Sequence, residues 1–105
     1  MNSVLSKIKA YIGFAKKSRQ ITFGVDDIIK LKNAKVIIVS DSLGESSMKK
    51  VKNYSETKKI EMLCLKSEDF KNLENESIKA IAITDKGLAD AIKINLTTSL
   101  GGKVE

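Results

Sequence analysis

Residues 34–40, with the sequence AKVIIVS, decide the fold class because they contain four consecutive aliphatic residues. A run without alternation predicts a strand that is covered on both faces of a sheet. EMLCL at 61–65 and AIAIT at 80–84 predict two more strands of the same kind. QITF at 20–23 is β-prone but short, so we expect it at an edge of the sheet, where it could run antiparallel.

Helices are predicted before, between and after these strands, because apolar residues recur there at helical spacing. The apolar positions are Val4, Leu5, Ile8, Tyr11, Ile12 and Ala15, then Val25, Ile28 and Ile29, then Met48, Val51 and Tyr54, and finally Leu88, Ala91, Ile92 and Leu96. Ser67 is expected to cap a short helix before Phe70. The order α-β-α-β-α-β-α-β-α predicts an α/β fold, a three-layer α/β/α sandwich with a central mixed four-stranded sheet. We expect one domain over residues 1–97 and a flexible tail over 98–105.

The composition argues against most enzymatic chemistry. The chain of 105 residues has no histidine and one cysteine, Cys64. It therefore lacks the commonest general base and any cysteine-based metal-ligand spacing. Cys64 lies in an apolar run and is expected to be a buried small hydrophobe. Neither of the glycine-rich phosphate-binding motifs, GxGxxG and GxxxxGK[ST], is present. We expect no catalysis, no cofactor and no metal, although carboxylate chemistry stays open as an alternative.

No apolar run approaches the roughly 18 residues that a membrane span needs. The N-terminal residues MNSVLSKIKAYIGF lack the long apolar segment and small-residue cleavage site of a signal peptide. We therefore expect a cytoplasmic protein that does not associate with membranes.

The positive charge is concentrated in the first part of the chain. Residues 1–40 contain eight Lys or Arg residues against two Asp, which accounts for the whole net charge of +6. A concentrated positive field suits a polyanionic partner such as nucleic acid. All but one of the 19 basic residues are lysine, however, and the compositional bias of an AT-rich genome would produce the same pattern.

Residues 16–30, KKSRQITFGVDDIIK, are the best candidate for a nucleic-acid site. Three cations, Lys16, Lys17 and Arg19, precede the short strand. A glycine turn follows, and then a helix start with unpaired backbone N–H groups and a further cation, Lys30. Such a segment can contact phosphates and base edges, but a solvated strand–turn–helix connection has the same pattern. The pair Asp26 and Asp27 is more typical of a helix start than of a metal site.

The run IGFAKKSRQITFGVDDIIKLKNAKVIIVSDSLGESSMKKV, residues 12–51, resembles the kink-turn RNA-binding ribosomal protein family of the L-seven-Ae and L-thirty-e type. It is most similar to the bacterial YlxQ-like branch of that family. The resemblance continues through KIEMLCL at 59–65 and AIAITDKGLADAI at 80–92, so it covers about residues 10–95. The order and spacing of the segments carry the resemblance.

The resemblance implies an α/β/α sandwich that binds RNA without catalysis. In the family, a glycine and the start of the second helix meet tandem sheared G·A pairs of a kink-turn. Those positions match Gly24, Val25, Asp26 and Asp27 here, and the family's helix lysine matches Lys30. A hydrophobic loop after the fourth helix packs on an extruded nucleotide, and it corresponds to residues 75–78 with Ile78 as the apolar contact.

The sequence departs from the family pattern in two ways. Asp26 replaces an amide, and the family's LGxAxG turn before the recognition loop is replaced by NLENES at 72–77, which carries Glu74 and Glu76. The predicted partner is structured RNA, foremost ribosomal RNA, with the ribosome or its assembly factors as further partners of a monomer. A protein-interaction module of the same fold with little or no RNA affinity is the alternative.

Overall fold

The computed structural model describes residues 3–74 and 77–99. These residues form five helices and four strands in the predicted alternating order. Their bounds are α1 Ser3–Lys17, β1 Ile21–Phe23, α2 Val25–Ile28, β2 Val36–Ser40, α3 Glu45–Lys58, β3 Glu61–Leu65, α4 Ser67–Phe70, β4 Ala80–Ile83 and α5 Lys86–Ser99.

The four strands form one mixed sheet in the order β1-β4-β2-β3. Strands β2 and β3 are parallel, whereas β4 is antiparallel to both β1 and β2. The short β1 lies at an edge and is antiparallel, as the sequence suggested. The last residues of β1, β2 and β3 and the first residues of β4 meet at one end of the sheet, which we call the Gly24 end.

The sheet has a separate apolar core on each face, which confirms the three-layer sandwich. One core packs α1, α4 and α5 on the sheet through residues such as Ile8, Phe70 and Ile92. The other packs α2 and α3 through residues such as Ile28 and Val51. All five residues of β2 and all four of β4 are buried, because these central strands are covered on both faces. Helices α1 and α2 therefore lie on opposite faces, and β1 connects them.

The start of the short helix α4 and the end of the long helix α5 differ from the sequence prediction. Ser67 is the first residue of α4 rather than its cap, and the Asp41 carboxylate accepts the Ser67 N–H at 2.9 Å. A side chain that follows β2 thus satisfies an N–H group at the start of a helix that follows β3. Helix α5 continues to Ser99, so residues 98 and 99 of the expected tail are helical. Residues 100–105 of the expected tail lie outside the described residues.

Cys64 is exposed, and the expectation that it is buried is wrong. Its strand, β3, is an edge strand in which only Leu65 is buried. Partial desolvation, together with the nearby Asp41 carboxylate, raises the pKa of the Cys64 thiol. The thiol is therefore neutral near pH 7 and less reactive than its exposure alone implies. Within the described ranges, no helix has both the length and the apolar character needed to cross a bilayer.

Candidate functional site

The chain turns sharply at Gly24, between β1 and α2, with φ +88° and ψ 139°. Glycine adopts such a conformation readily because it has no Cβ. The Gly24 N–H donates to the Ala80 carbonyl at 3.0 Å, and the Gly24 carbonyl accepts the Ile28 N–H at 3.0 Å. Gly24 is exposed, and a Cβ built there would meet no described atom within 4 Å. The backbone conformation, rather than crowding, therefore requires glycine.

A shallow cleft of about 220 Å³, which we call the Gly24 cleft, opens beside this turn. It is lined by the start of α2, the approach to α3 and the segment before β4, namely Gly24, Val25, Asp26, Leu43, Ser47, Ser77, Lys79 and Ala80. The Val25 side chain is buried in the core under α3, so Val25 can offer a ligand only its backbone. The first N–H groups of α2 have no partner inside the helix, and no side chain caps them.

A second cleft, of about 290 Å³, adjoins the first, and Lys79 lines both. Ile78 lines the second cleft and is half-buried against the core under α1 and α5. Two hydroxyl groups, of Ser40 and Ser42, also line it and lie 2.8 Å apart. The segment before β4 therefore separates two clefts at the Gly24 end of the sheet. Residues 75 and 76 of the expected recognition loop lie outside the described residues.

Asp26 and Asp27 project from the first turn of α2 and are exposed. The Lys50 ammonium lies 3.6 Å from the Asp26 carboxylate, which joins α2 to the second turn of α3. Lys50 partly offsets the negative charge of Asp26. No group of three or more potential metal ligands occurs among the residues that the structure describes.

Lys16 is already paired. Its ammonium lies 2.6 Å from the Glu74 carboxylate and 5.7 Å from the centroid of the Phe23 ring. The Glu74 side chain is only 10% exposed, whereas that of Lys16 is 45% exposed. The two residues therefore neutralise each other locally. Glu74 repels an RNA backbone less than its sequence position suggests, and Lys16 attracts one less.

Arg19 terminates α1 in an unusual backbone conformation, with φ +61°. The Gln20 N–H donates to the Ala15 carbonyl at 2.8 Å and the Arg19 N–H to the Lys16 carbonyl at 3.2 Å. This is the Schellman pattern, in which glycine usually occupies the left-handed position. Lys59 ends α3 in the same manner, with φ +58°. Two cations thus occupy positions that favour glycine.

The remaining predicted cations do not converge on the Gly24 cleft. Lys17 is exposed at the end of α1, on the opposite face of the sheet from α2. Arg19 precedes β1 and Gly24 follows it, and the three residues of β1 at about 3.3 Å each span on the order of 10 Å between them. Lys30 lies beyond the end of α2, which stops at Ile28, so it is not the helix lysine that the resemblance implied.

The structure adds two cations to the site that the sequence analysis missed, Lys50 and Lys79. Both lie outside residues 1–40, the segment in which the sequence concentrates its net positive charge. Lys79 directly precedes the predicted strand at 80–84, and this was the only sequence signal for it. Nothing in the sequence pattern indicated that Lys50 reaches Asp26.

Comparison with other proteins identifies the fold. No protein-family model and no curated protein matches the chain. Among solved structures, a protein of unknown function from Bacillus halodurans C aligns with a TM-score of 0.74 and 17% sequence identity. The alignment covers 86% of this chain and 96% of that one. At this identity the similarity shows the fold alone, so the chain is an α/β protein built on a mixed four-stranded sheet.

Proposed function

We propose that this protein is a non-catalytic RNA-binding protein, similar to ribosomal proteins, that recognises structured RNA of the kink-turn type. Recognition uses the Gly24 turn, the start of α2 and the segment before β4. The partner is structured RNA, foremost ribosomal RNA, and the protein acts as a cytoplasmic monomer with the ribosome or its assembly factors as further partners.

The observation that supports this proposal most is that the Gly24 turn lines one exposed cleft together with Ser77, Lys79 and Ala80. The hydrogen bond from Gly24 to Ala80 holds the two segments together. The resemblance assigns the Gly24 turn to the sheared G·A pairs and residues 75–78 to the extruded nucleotide; of the latter, Ser77 lines this cleft and Ile78 lines the adjoining one. The two segments are more than 50 residues apart in sequence, so their proximity follows from the fold rather than from chain order.

The chemistry of the cleft suits unpaired base edges. The first N–H groups of α2 can donate to base or phosphate oxygens, and the carboxylates of Asp26 and Asp27 can accept from exocyclic amino groups. Lys79 and Lys50 supply positive charge for nearby phosphates. Such a site reads shape and splayed bases, as most RNA-binding proteins do, because A-form grooves hide most sequence information. Lys17, Arg19 and Lys30 then act as outlying phosphate contacts.

A binding assay with two RNA duplexes tests the proposal. One duplex contains a kink-turn with tandem sheared G·A pairs, and in the other those pairs are replaced by Watson–Crick pairs. We expect the protein to bind the kink-turn duplex at least tenfold more tightly in fluorescence anisotropy. Lys79→Gln should weaken binding several-fold at 0.1 M salt, because about one phosphate contact is lost.

Lys35→Gln is the matched control. Lys35 and Lys79 are both exposed and each directly precedes a strand, but Lys35 lies at the other end of the sheet. Both variants lower the net charge equally, so only a local contact can distinguish them. Equal affinity for the two duplexes would reject kink-turn recognition. Absence of RNA binding at low salt, with a protein partner that copurifies after ribonuclease treatment, would favour the protein-interaction module instead.

A further inference from the structure

Helix α3 begins beside the Gly24 cleft and carries a groove along its exposed side. The groove has a volume of about 870 Å³ and is lined by Leu43, Glu45, Ser46, Met48, Lys49, Lys50, Lys52 and Asn53. Leu43 lines both the groove and the Gly24 cleft, so the two surfaces are continuous. Ser47, one turn before Lys50 and Val51, lines the cleft itself. A ligand in the cleft that extends toward α3 would therefore enter the groove.

The groove is positively charged. Three exposed lysines line it against one acidic residue, Glu45. Within residues 3–74 and 77–99, Lys49 and Lys52 have no acidic side chain within 4.0 Å, whereas Lys50 has Asp26 at 3.6 Å. Lys49 and Lys52 are one helical turn apart, where like charges repel each other. An anion bound between them would relieve that repulsion.

We infer that the RNA-binding surface continues from the Gly24 cleft over α3, where Lys49, Lys50 and Lys52 bind the phosphate backbone of one RNA arm. This inference rests on the proposed function, because it assigns the second contact surface of the same ligand. Charge complementarity and continuity with the cleft identify the occupant. Three of the residues that line the groove are lysines. Lysine contacts a phosphate backbone as a point charge without base specificity, so this lining suits such a ligand.

Lys50 has a second role at the junction of cleft and groove. In the free protein it offsets the Asp26 carboxylate, which would otherwise repel an approaching phosphate. Lys50 is thus a positioning residue for the acidic start of α2. Removal of Lys50 leaves the Asp26 charge without its partner and also deletes a phosphate contact. The loss of RNA affinity should therefore be larger than for removal of Lys49 or Lys52. In an Asp26→Asn background this excess should disappear.

The test compares two double variants on the kink-turn duplex over a range of salt concentrations. Lys49→Gln with Lys52→Gln removes two charges from the α3 groove. Lys7→Gln with Lys9→Gln removes two exposed charges from α1, on the opposite face of the sheet. The slope of log affinity against log salt concentration is negative, and each lost phosphate contact reduces its magnitude by about 0.7–0.9. We therefore expect the α3 variant to lose roughly 20- to 60-fold in affinity at 0.1 M salt, while the α1 variant stays within about threefold of the parent.

The outcomes separate this inference from the proposed function. The α3 variant should keep the preference for the kink-turn duplex over the Watson–Crick duplex, because the Gly24 cleft is intact. If both double variants lose affinity equally, the α3 groove is not a contact surface, although kink-turn recognition stands. If the parent protein shows no preference between duplexes, the proposed function fails first. Lys50→Gln with the same loss in both Asp26 and Asp26→Asn backgrounds would refute the positioning role.

Discussion

Replacement of Gly24 by alanine tests whether the turn depends on backbone conformation. Gly24 has φ +88°, and a Cβ there would contact no described atom, so the penalty comes only from the dihedral angle. Non-glycine residues held in such regions cost about 1–3 kcal/mol. We expect Gly24→Ala to lower the free energy of unfolding by that amount, measured by urea denaturation with circular dichroism. For a domain of about this size, the melting temperature should fall by about 4–8 °C per kcal/mol.

Gly44→Ala is the matched control for this experiment. Gly44 is also an N-cap glycine with open space around its Cβ position, but its φ is −60° and its ψ is 154°. Alanine there loses some N-cap preference and gains about 0.4–1 kcal/mol through the unfolded chain, so the net change should be small. The difference between the two variants isolates the positive φ. Equal free energies of unfolding for the two variants would refute the argument that the Gly24 turn requires glycine.

Three further predictions concern two helix ends, one ion pair and one buried hydroxyl group. Arg19→Gly and Lys59→Gly should each stabilise the protein by about 0.5–1 kcal/mol in urea denaturation, because both residues have positive φ. Only Arg19→Gly should also weaken RNA binding. If either variant is less stable than the parent, the argument that positive φ is unfavourable at these two positions is wrong. Glu74→Gln and Lys16→Met should show a coupling free energy of about 1 kcal/mol in a double-mutant cycle. This coupling free energy should be smaller in 1 M salt. A coupling free energy of zero would mean that the ion pair does not stabilise the protein. Burial raises the pKa of Tyr54 above 10.0, so its stabilising contribution is present below pH 10 and is lost as pH rises through the higher folded-state pKa. The Tyr54 hydroxyl donates a hydrogen bond to the Leu31 carbonyl at 2.5 Å. Tyr54→Phe removes this bond and should cost about 1 kcal/mol at pH 7, and the unfolding free energy of the variant should fall less between pH 9 and 11 than that of the parent.

Local sequence patterns were sufficient to predict the strands and the buried faces of the long helices. The aliphatic runs predicted β2 and β4 because both strands are buried on both faces. The period of 3.6 predicted which side of α1 is buried, and Leu5, Ile8 and Ile12 lie there. These features depend on residues close in sequence, which is why the pattern contains them.

The errors arose where distant segments decide the outcome. The run at 61–65 resembles a central strand, but among the described residues β3 pairs with β2 alone and lies at an edge of the sheet, where Cys64 is exposed. The resemblance placed Lys30 on the second helix, yet the Lys30 N–H donates to the Asp27 carbonyl and α2 ends at Ile28. The pairing of Lys50 with Asp26 joins two helices and has no local signature.

The antiparallel pairing of β1 with β4 has a consequence for biosynthesis. Ile21 is aligned with Ile83, so β1 can pair in the sheet only after β4 has left the ribosome. Translation is vectorial, and a nascent chain that ends before residue 80 lacks the carbonyl group that fixes the Gly24 turn. The edge of the sheet that carries the cleft therefore forms only after residues 80–83 have left the exit tunnel.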